Sequence, residues 1–350
     1  MDGKFSHSFF SRLLFAIIRK ALTLFWIGSK FQTSIFFAEN KPNVRVTIDA
    51  EYSKEELFRF LHPVDLIEEP HLFASRKAVT LDRCYLDTRN GVAFDPTNKI
   101  ISESSSWPIQ HLMMSAVPKP ILKPKRNGNS SRSILLPTSG YYHWLLEDLP
   151  PFLYLQSQFP ESEIIVNSRT PKYVKSLIKH LKISPITVPH FIEIPNLTLV
   201  TRNSDVGWPH KSDIEFVKKY FADNCSKTQT RDRIYISRVS STRSPDFEAE
   251  LSKKLEENGW LILQAEELEF LDQIQLISGA KILCGVGGAG LSNCIWMSPG
   301  TQLIELSPDR FVPVFARLAS RLALKYKLIK YEDFKNSATQ LFRLIESESI

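Results

Sequence analysis

Cysteine is scarce in this sequence, and nothing in it is arranged like a disulfide framework or a metal module. The 350 residues contain four cysteines, which lie far apart and form no Cys-x-x-Cys pair. The histidines do not combine with them at the spacings typical of zinc ligands. These absences argue against a disulfide-stabilised secreted domain and against a structural zinc module, and they fit a reducing compartment.

Long uncharged apolar runs are also missing. Residues 9–28 are rich in Phe, Leu and Ile, but Arg12, Arg19 and Lys20 interrupt them. A spanning helix needs about 20 mostly apolar residues, and a cleaved signal peptide needs an uncharged run followed by small residues. The segment therefore predicts either a basic amphipathic helix on an anionic membrane surface or a first core helix with a solvated basic edge.

The overall composition predicts a folded protein. Apolar residues make up 43% of the chain and charged residues 23%, which suffices for a hydrophobic core. At this length we expect two domains, at 41–212 and 213–350, after a basic segment at 1–40. The net charge of +6 favours an anionic partner: nucleic acid, an anionic membrane or a nucleotide-sugar diphosphate.

Strands and helices alternate most clearly in the second half. A strand at 233–237 precedes a helix at 245–258, which has Ser244 as its N-cap and Gly259 as its stop. Further strands are predicted at 260–263, 281–284 and 301–306, separated by a helix at 268–278 and a short helix ending near 296. This alternation is typical of a parallel sheet covered on both faces, so we expect a Rossmann-like C-terminal domain.

A Gly-Tyr-Tyr-His-Trp block at 140–144 follows a predicted strand and opens a helix. On that helix His143 and Glu147 are four residues apart and share a face. Inverting sugar transfer needs a base that takes the proton of the acceptor hydroxyl. Either side chain could serve, and we expect Glu147 to be the base and His143 to orient it. The same spacing would also suit a helix start whose His and Glu only form a surface pair.

A glycine-rich turn lies between a predicted strand and a short helix at 284–293. Its Gly288, Ala289 and Gly290 would let the backbone approach a phosphate. The turn contains Gly-x-Gly-x-x-Gly, and Glu305 follows twenty residues after Gly285, as in a dinucleotide-binding fingerprint. Its late position, the short helix and the lack of a second nucleotide-binding half count against a dehydrogenase, and a purely structural turn is the other alternative.

Ser237 and Arg238 end the strand predicted at 233–237. Because ligands gather at the carboxyl ends of parallel strands, we expect both residues at the same rim as the glycine-rich turn and Glu305. Arginine can donate two hydrogen bonds to a pyrophosphate, and a carboxylate can accept them from ribose hydroxyls. A surface arginine paired with an acidic residue is the simpler alternative.

The order of these blocks resembles glycosyltransferase family 61 over about residues 133–310. Family members share a Tyr-Tyr-His-Trp block, an Ile-Tyr-Ile-Ser-Arg strand, a Glu-Glu-Leu helix start, a Gly-x-His-Gly-Ala-Gly-Leu turn and a Pro-Gly strand ending in Ile-Glu. The matching segments here are 141–150, 234–238, 266–268, 285–291 and 299–305.

The resemblance implies a GT-B fold, with two Rossmann-like domains facing a cleft, and inversion at the anomeric carbon. It implies nucleotide-sugar donors such as UDP-xylose or UDP-N-acetylglucosamine. It assigns the catalytic role to His143 and Glu147, and donor binding to Arg238, Gly288, Gly290 and Glu305. One departure is Gly287, where the family has histidine. Without that imidazole, activity would be lower or the donor different.

We therefore predict a hexosyl- or pentosyltransferase that moves a sugar, from a UDP-sugar, to a glycan acceptor hydroxyl in polysaccharide biosynthesis. No Asp-x-Asp pair ends a strand, so we expect no tightly bound cofactor and no metal requirement. We expect no nucleic acid partner, and a cytoplasmic location, peripheral at the inner face of the membrane. The alternatives are a catalytically degenerate glycan-binding protein, suggested by Gly287, and a nicotinamide-dependent oxidoreductase, suggested by the glycine-rich turn.

Overall fold

The computed structural model describes residues 44–50, 76–88, 91–94, 100–101, 104, 132–200, 207, 209–225, 232–308, 313–334 and 337–348. The basic segment predicted at 1–40, with its apolar run at 9–28, lies outside these residues.

A mixed sheet organises the described part of the first half. Its order is β4-β3-β2-β8-β5-β6-β7, and β1 pairs with β2. The strands are β1 (Val44–Ala50), β2 (Arg76–Asp87), β3 (Val92–Phe94), β4 (Ile100–Ile101), β5 (Ser133–Leu136), β6 (Glu163–Asn167), β7 (Ile186–Val188) and β8 (Phe191–Val200). The pairs β8/β5, β5/β6 and β6/β7 are parallel, whereas β1 to β4 and the β2/β8 pair are antiparallel.

The long antiparallel pair β2/β8 was not predicted, because the sequence around β2 shows no helix–strand alternation. Its register joins residues more than a hundred positions apart, such as Ala78 with Val200. The alternation of strands and helices predicted for this half is present at β5, β6 and β7. Strands β1 to β4 extend the same sheet with antiparallel pairs.

The second sheet is parallel throughout its described strands, as predicted. Its order is β10-β9-β11-β12-β13. The strands are β9 (Arg233–Ile236), β10 (Leu261–Leu263), β11 (Ile282–Val286), β12 (Gln302–Ser307) and β13 (Lys325–Lys330). Alternating strands and helices in two sheets make this an α/β protein, consistent with two Rossmann-like domains.

The helices connect the strands in both halves. They are α1 (Tyr141–His143), which continues through a π-helical turn (Trp144–Asp148) into α2 (Leu149–Gln158), then α3 (Lys172–Leu181), α4 (Lys211–Tyr220), α5 (Glu248–Glu257), α6 (Phe270–Ser278), α7 (Val314–Arg321) and α8 (Ala338–Glu348). Short 3-10 helices lie at Ala222–Asn224, Ala265–Glu267, Ala289–Trp296 and Tyr331–Phe334.

Helix α5 begins three residues later than the sequence predicts. Asp246 and Phe247 form a turn, in which the Glu248 amide donates to the Pro245 carbonyl at 3.0 Å. Ser244, the predicted N-cap, therefore lies before this turn, and the helix starts only after the turn.

One hydrophobic core is continuous between the two sheets. Buried residues of the first half, including Leu136 and Phe152, belong to the same cluster as Leu303 of β12. Edge-to-face ring pairs cross the junction, with Trp144 and Phe270 centroids 5.1 Å apart. Such pairs contribute about 0.5 to 1.5 kcal/mol each beyond burial, so close packing fixes the relative position of the halves.

Helix α4 lies at this junction, and the predicted domain boundary between residues 212 and 213 falls within it. Its Phe221 C-cap packs edge-to-face on Trp296, with ring centroids 6.0 Å apart. Lys218 Nζ donates to the Met297 carbonyl at 3.0 Å. The helix thus contacts the second half directly.

Candidate active site

A π-helical turn interrupts the helix that carries the His143–Glu147 pair. The Leu149 amide donates to the Trp144 carbonyl, five residues earlier. Pro150 and Pro151 follow and lack amide hydrogens, so the ordinary i→i−4 ladder cannot continue through them. Turns of this kind recur at functional sites, and this one buries the carboxylate of Glu147.

Glu147 is held at both oxygens. Its Oε2 lies 2.9 Å from His143 Nδ1, and its Oε1 accepts from the Gly207 amide at 2.7 Å. Gly207 has a φ of +82°, a conformation that favours glycine. The Glu147 side chain is 1% exposed, whereas that of His143 is 27% exposed. Glu147 therefore orients the imidazole, and His143 is the member of the pair that solvent reaches.

The electrostatics of the pair favour a basic imidazole. Burial lowers the pKa of His143, but the hydrogen bond with Glu147, its charge and that of Asp148 outweigh this effect and raise the pKa above 6.5. In the neutral ring, an Nδ1–H that donates to Glu147 leaves Nε2 as the acceptor. Nε2 is then the atom that can take a proton.

A cavity of about 450 Å³ lies between the two halves. Both halves contribute polar and aromatic side chains to its walls. Those from the first half are Tyr141, Lys172 and Tyr173, and those from the second include Ser237, Arg238, Arg243 and Glu266. Its volume lies within the range of small-molecule sites, roughly 300 to 1,000 Å³.

Arg238 is fixed in the cavity wall by two contacts. Its Nη1 donates to the Gly287 carbonyl at 2.7 Å, and its backbone amide donates to Glu248 Oε1 at 2.8 Å. Burial and then the charge of Arg243 lower the pKa of Arg238. Because two cations repel each other here, an anion in the cavity would be electrostatically favourable.

Gly288 and Gly290 let Arg238 and Ile236 pack closely against the glycine-rich turn. A Cβ at Gly288 would lie 2.8 Å from Arg238 Nη1, and one at Gly290 would lie 3.0 Å from Ile236 Cγ2. Ala289 and Gly290 line the cavity at the start of the 3-10 helix. Gly288 instead supports the guanidinium.

Glu305 lies next to the turn and is not among the described residues that line the cavity. It is 3% exposed, and its Oε2 accepts from the Tyr326 hydroxyl at 2.6 Å. Burial raises the pKa of Glu305 to about 7, although the Tyr326 hydrogen bond acts in the opposite direction.

The structure brings four of the predicted site residues together at the cavity, whereas the other four, His143 and Glu147 among them, do not line it. Those in the wall are Ser237, Arg238, Ala289 and Gly290. Gly288 contacts Arg238, and Glu305 lies beside Gly287. His143 and Glu147 lie on the helix that starts at Tyr141, the residue of that block in the wall.

Sequence reasoning missed Lys172, Tyr173 and Arg243. The first two lie on α3, which carries no local signal for a ligand site. This helix packs against α6, and the Tyr173 ring packs on Tyr141 at a centroid distance of 5.1 Å. Arg243 follows the strand that ends at Ile236, and its proximity to Arg238 was the available signal.

Two further findings concern the described residues alone. None of them form a group of three or more His, Cys, Asp or Glu close enough to hold a metal ion. No helix among the described residues is long and apolar enough to cross a membrane.

Comparison with protein families gave one match at this site. Residues 141–304 match the family model described as Glycosyltransferase 61. This segment belongs to glycosyltransferase family 61. It contains the His143–Glu147 pair, Arg238 and the whole glycine-rich turn. The resemblance seen in the sequence is confirmed for this segment, and membership of the family implies an enzyme of sugar transfer. A search of curated proteins gave no match.

Family membership also decides the interpretation of the Gly-x-Gly-x-x-Gly turn. The matched segment includes Gly285 to Gly290, so the turn belongs to a glycosyltransferase and not to a nicotinamide-dependent oxidoreductase. The cavity beside it is then the natural candidate for a sugar donor.

Proposed function

We propose that this family 61 enzyme is an inverting, GT-B-like glycosyltransferase that uses a UDP-sugar and transfers its sugar to a glycan hydroxyl. The observation that carries the proposal is the cavity between the two halves, with Arg238 and Arg243 on one wall and Tyr141 and Tyr173 on the other. The donor would lie mainly on the second half and the acceptor on the first.

The chemistry of the cavity suits a nucleoside diphosphate. Arg238 and Arg243 can donate charge-assisted hydrogen bonds to a diphosphate, and Lys172 adds a third positive charge at the wall. Tyr141 and Tyr173 offer ring surfaces for a base or a sugar. These cations would stabilise the charge on the departing UDP, so we propose that transfer needs no metal.

The transfer would proceed as a single displacement. His143 Nε2 takes the proton of the acceptor hydroxyl while its oxygen attacks the anomeric carbon from the face opposite the diphosphate. The bond from that carbon to the diphosphate oxygen breaks, and UDP leaves with the electron pair. One attack from the opposite face inverts the configuration.

The sequence predicts Glu147 as the base, but the burial of its side chain supports His143 instead. Both oxygens of Glu147 already accept hydrogen bonds, and its side chain is 1% exposed. An acceptor hydroxyl would reach the imidazole more easily. Glu147 then stabilises the imidazolium that forms, in the way a buried carboxylate supports a catalytic histidine.

We also propose that the enzyme is cytoplasmic, associates peripherally with the membrane and contributes to polysaccharide biosynthesis. The support is the apolar and basic composition of residues 9–28, which lie outside the described part of the chain. An adjacent cluster of capsule or lipopolysaccharide genes would support the pathway.

The donor proposal is tested by thermal shift with UDP, UDP-sugars, GDP and NAD. We expect UDP and one or more UDP-sugars to raise the unfolding midpoint, and NAD to leave it unchanged. Stabilisation by GDP or NAD without stabilisation by UDP would contradict the donor assignment. With an active donor, NMR of the product's anomeric proton tests the stereochemistry, and retained configuration would contradict the single displacement.

A further inference from the structure

Asn293 forms a buried polar junction between the two halves. Its Oδ1 accepts from the Tyr141 hydroxyl at 2.7 Å and from Trp296 Nε1 at 3.2 Å. Its Nδ2 donates to Gln273 Oε1 at 2.9 Å and to the Gly290 carbonyl at 3.1 Å. The amide oxygen of Asn293 accepts two hydrogen bonds and its nitrogen donates two, which uses the full hydrogen-bonding capacity of the amide. If the oxygen and nitrogen exchanged places, these four bonds could not all form.

Three of the four partners of Asn293 line the donor cavity, although Asn293 itself does not. Asn293 is 0% exposed. Tyr141, Gln273 and Gly290 all line the cavity. The network continues from Gln273 Nε2, which donates to the Ala265 carbonyl at 2.8 Å, and Ala265 is also in the wall. The Asn293 amide thus connects wall residues from the first helix, the glycine-rich turn and α6, and through Gln273 it also connects the 3-10 helix before α6.

The Tyr141–Asn293 bond joins the helix of the proposed base to the proposed phosphate-binding turn. Tyr141 lies two residues before His143, and Asn293 lies three residues after Gly290. In a buried site an unmade hydrogen bond is costly, so the bond holds the distance between these elements more firmly than apolar contacts alone.

We propose that Asn293 is a positioning residue for sugar transfer. It acts through Tyr141, Gly290 and Gln273 to fix the positions of the donor-cavity walls relative to each other. The inference rests on the proposed donor site. It assigns no contact between Asn293 and any substrate.

The first test needs no ligand. Hydrogen exchange followed by mass spectrometry compares wild type with Tyr141→Phe and Asn293→Ala. We expect faster exchange in 287–293 and 265–268 in both variants. Tyr173→Phe is the matched control, because its hydroxyl donates to the Ser139 carbonyl within the first half. It should leave exchange in those segments at the wild-type rate. Wild-type exchange in Tyr141→Phe would overturn the proposal, even if Asn293→Ala failed to fold.

The second test measures UDP affinity by calorimetry on folded protein. Loss of the Tyr141 hydroxyl should weaken UDP binding about two- to tenfold, the usual effect of one hydrogen bond, and Asn293→Ala should weaken it at least as much. The double variant should be no weaker than Asn293→Ala, because both act through one network. Additive losses would mean that Tyr141 acts on UDP directly and would overturn the proposal.

A purely structural role has a different signature. It would lower the unfolding midpoint of Asn293→Ala and leave UDP affinity at the wild-type value, and that result would also overturn the proposal. If wild type does not bind UDP, the donor assignment fails, and the exchange of residues 287–293 still decides whether Asn293 holds the turn.

Discussion

The carboxylate of Glu305 occupies the space next to Gly287 that a side chain at this position would need. A Cβ built at Gly287 would lie 2.7 Å from Glu305 Oε1. Glu305 cannot move away freely, because it is 3% exposed and holds the Tyr326 hydroxyl at 2.6 Å. In this chain Gly287 therefore packs directly against a buried acid.

We expect Gly287→Ala to lower the free energy of unfolding by about 1 to 3 kcal/mol, the usual effect of overpacking. Denaturant unfolding measures the change. In a Glu305→Ala background the same substitution should cost much less, because the clashing oxygen is gone. Glu305→Gln is the matched control: it keeps the side-chain volume and should keep most of the cost. Equal costs in all three backgrounds would contradict this steric coupling.

Glu305 should make stability depend on pH. Its pKa is raised from 4.5 to about 7. The folded state therefore holds a proton that the unfolded state has lost between these values, and stability falls as pH rises from about 4.5 to 7, by up to about 3 kcal/mol.

Unfolding at pH 5 and pH 8 should show this loss in wild type and much less of it in Glu305→Gln. The difference between the two proteins isolates Glu305 from other titrating groups. Glu250→Gln, at an exposed position on α5, is the control and should keep the wild-type slope. An unchanged slope in Glu305→Gln would show that Glu305 ionises normally.

Arg238→Ala should weaken UDP binding about 10- to 100-fold, because it removes charge-assisted hydrogen bonds to the diphosphate. Arg233→Ala is the matched control, at the start of the strand that precedes Arg238. Arg233 pairs with Glu346 at 3.0 Å and lies over the Trp260 ring, so its loss should lower stability and leave UDP affinity near wild type. Calorimetry with UDP measures the affinity of both variants. An unchanged affinity in Arg238→Ala would show that Arg238 is not part of the donor site.

His143 and Glu147 should be separable by the pH dependence of transfer. Since the base must be neutral, kcat/KM should rise with pH through a pKa above 6.5 in wild type. Glu147→Gln removes the charge that raises this pKa, so the rise should move to lower pH. His143→Ala should reduce turnover by roughly 100- to 10,000-fold.

If Glu147 were itself the base, Glu147→Gln would abolish transfer at every pH and His143→Ala would be the milder change. Normal turnover in both variants would show that this helix is structural. UDP affinity, measured in parallel, should stay near wild type in both.

Membrane association is tested by flotation with liposomes that contain anionic lipids. We expect full-length protein to float and protein lacking residues 1–30 to stay in the dense fraction, because residues 9–28 combine apolar bulk with Arg12, Arg19 and Lys20. Liposomes of neutral lipid are the control and should bind less. Equal flotation of both proteins, or of neither, would favour a core helix.

Local patterns in the sequence were enough to predict the parallel sheet, the glycine-rich turn and the spacing of His143 and Glu147. Hydrophobic periodicity, helix caps and glycine turns act over a few residues, so they can be recognised without the fold. The order of the motifs along the chain also predicted the family, and the family implies the enzyme class.

Other features depend on contacts between distant parts of the chain. The β2/β8 pairing, the closeness of Lys172 to Arg238 at one cavity and the bond from Tyr141 to Asn293 join segments that share no local pattern. The sequence also shows a glycine at position 287, but only the packed structure shows that the Glu305 carboxylate lies against it. Such contacts arise because sheets and helices pack closely in the protein interior. The volume available to each side chain there depends on neighbours that are distant in the sequence.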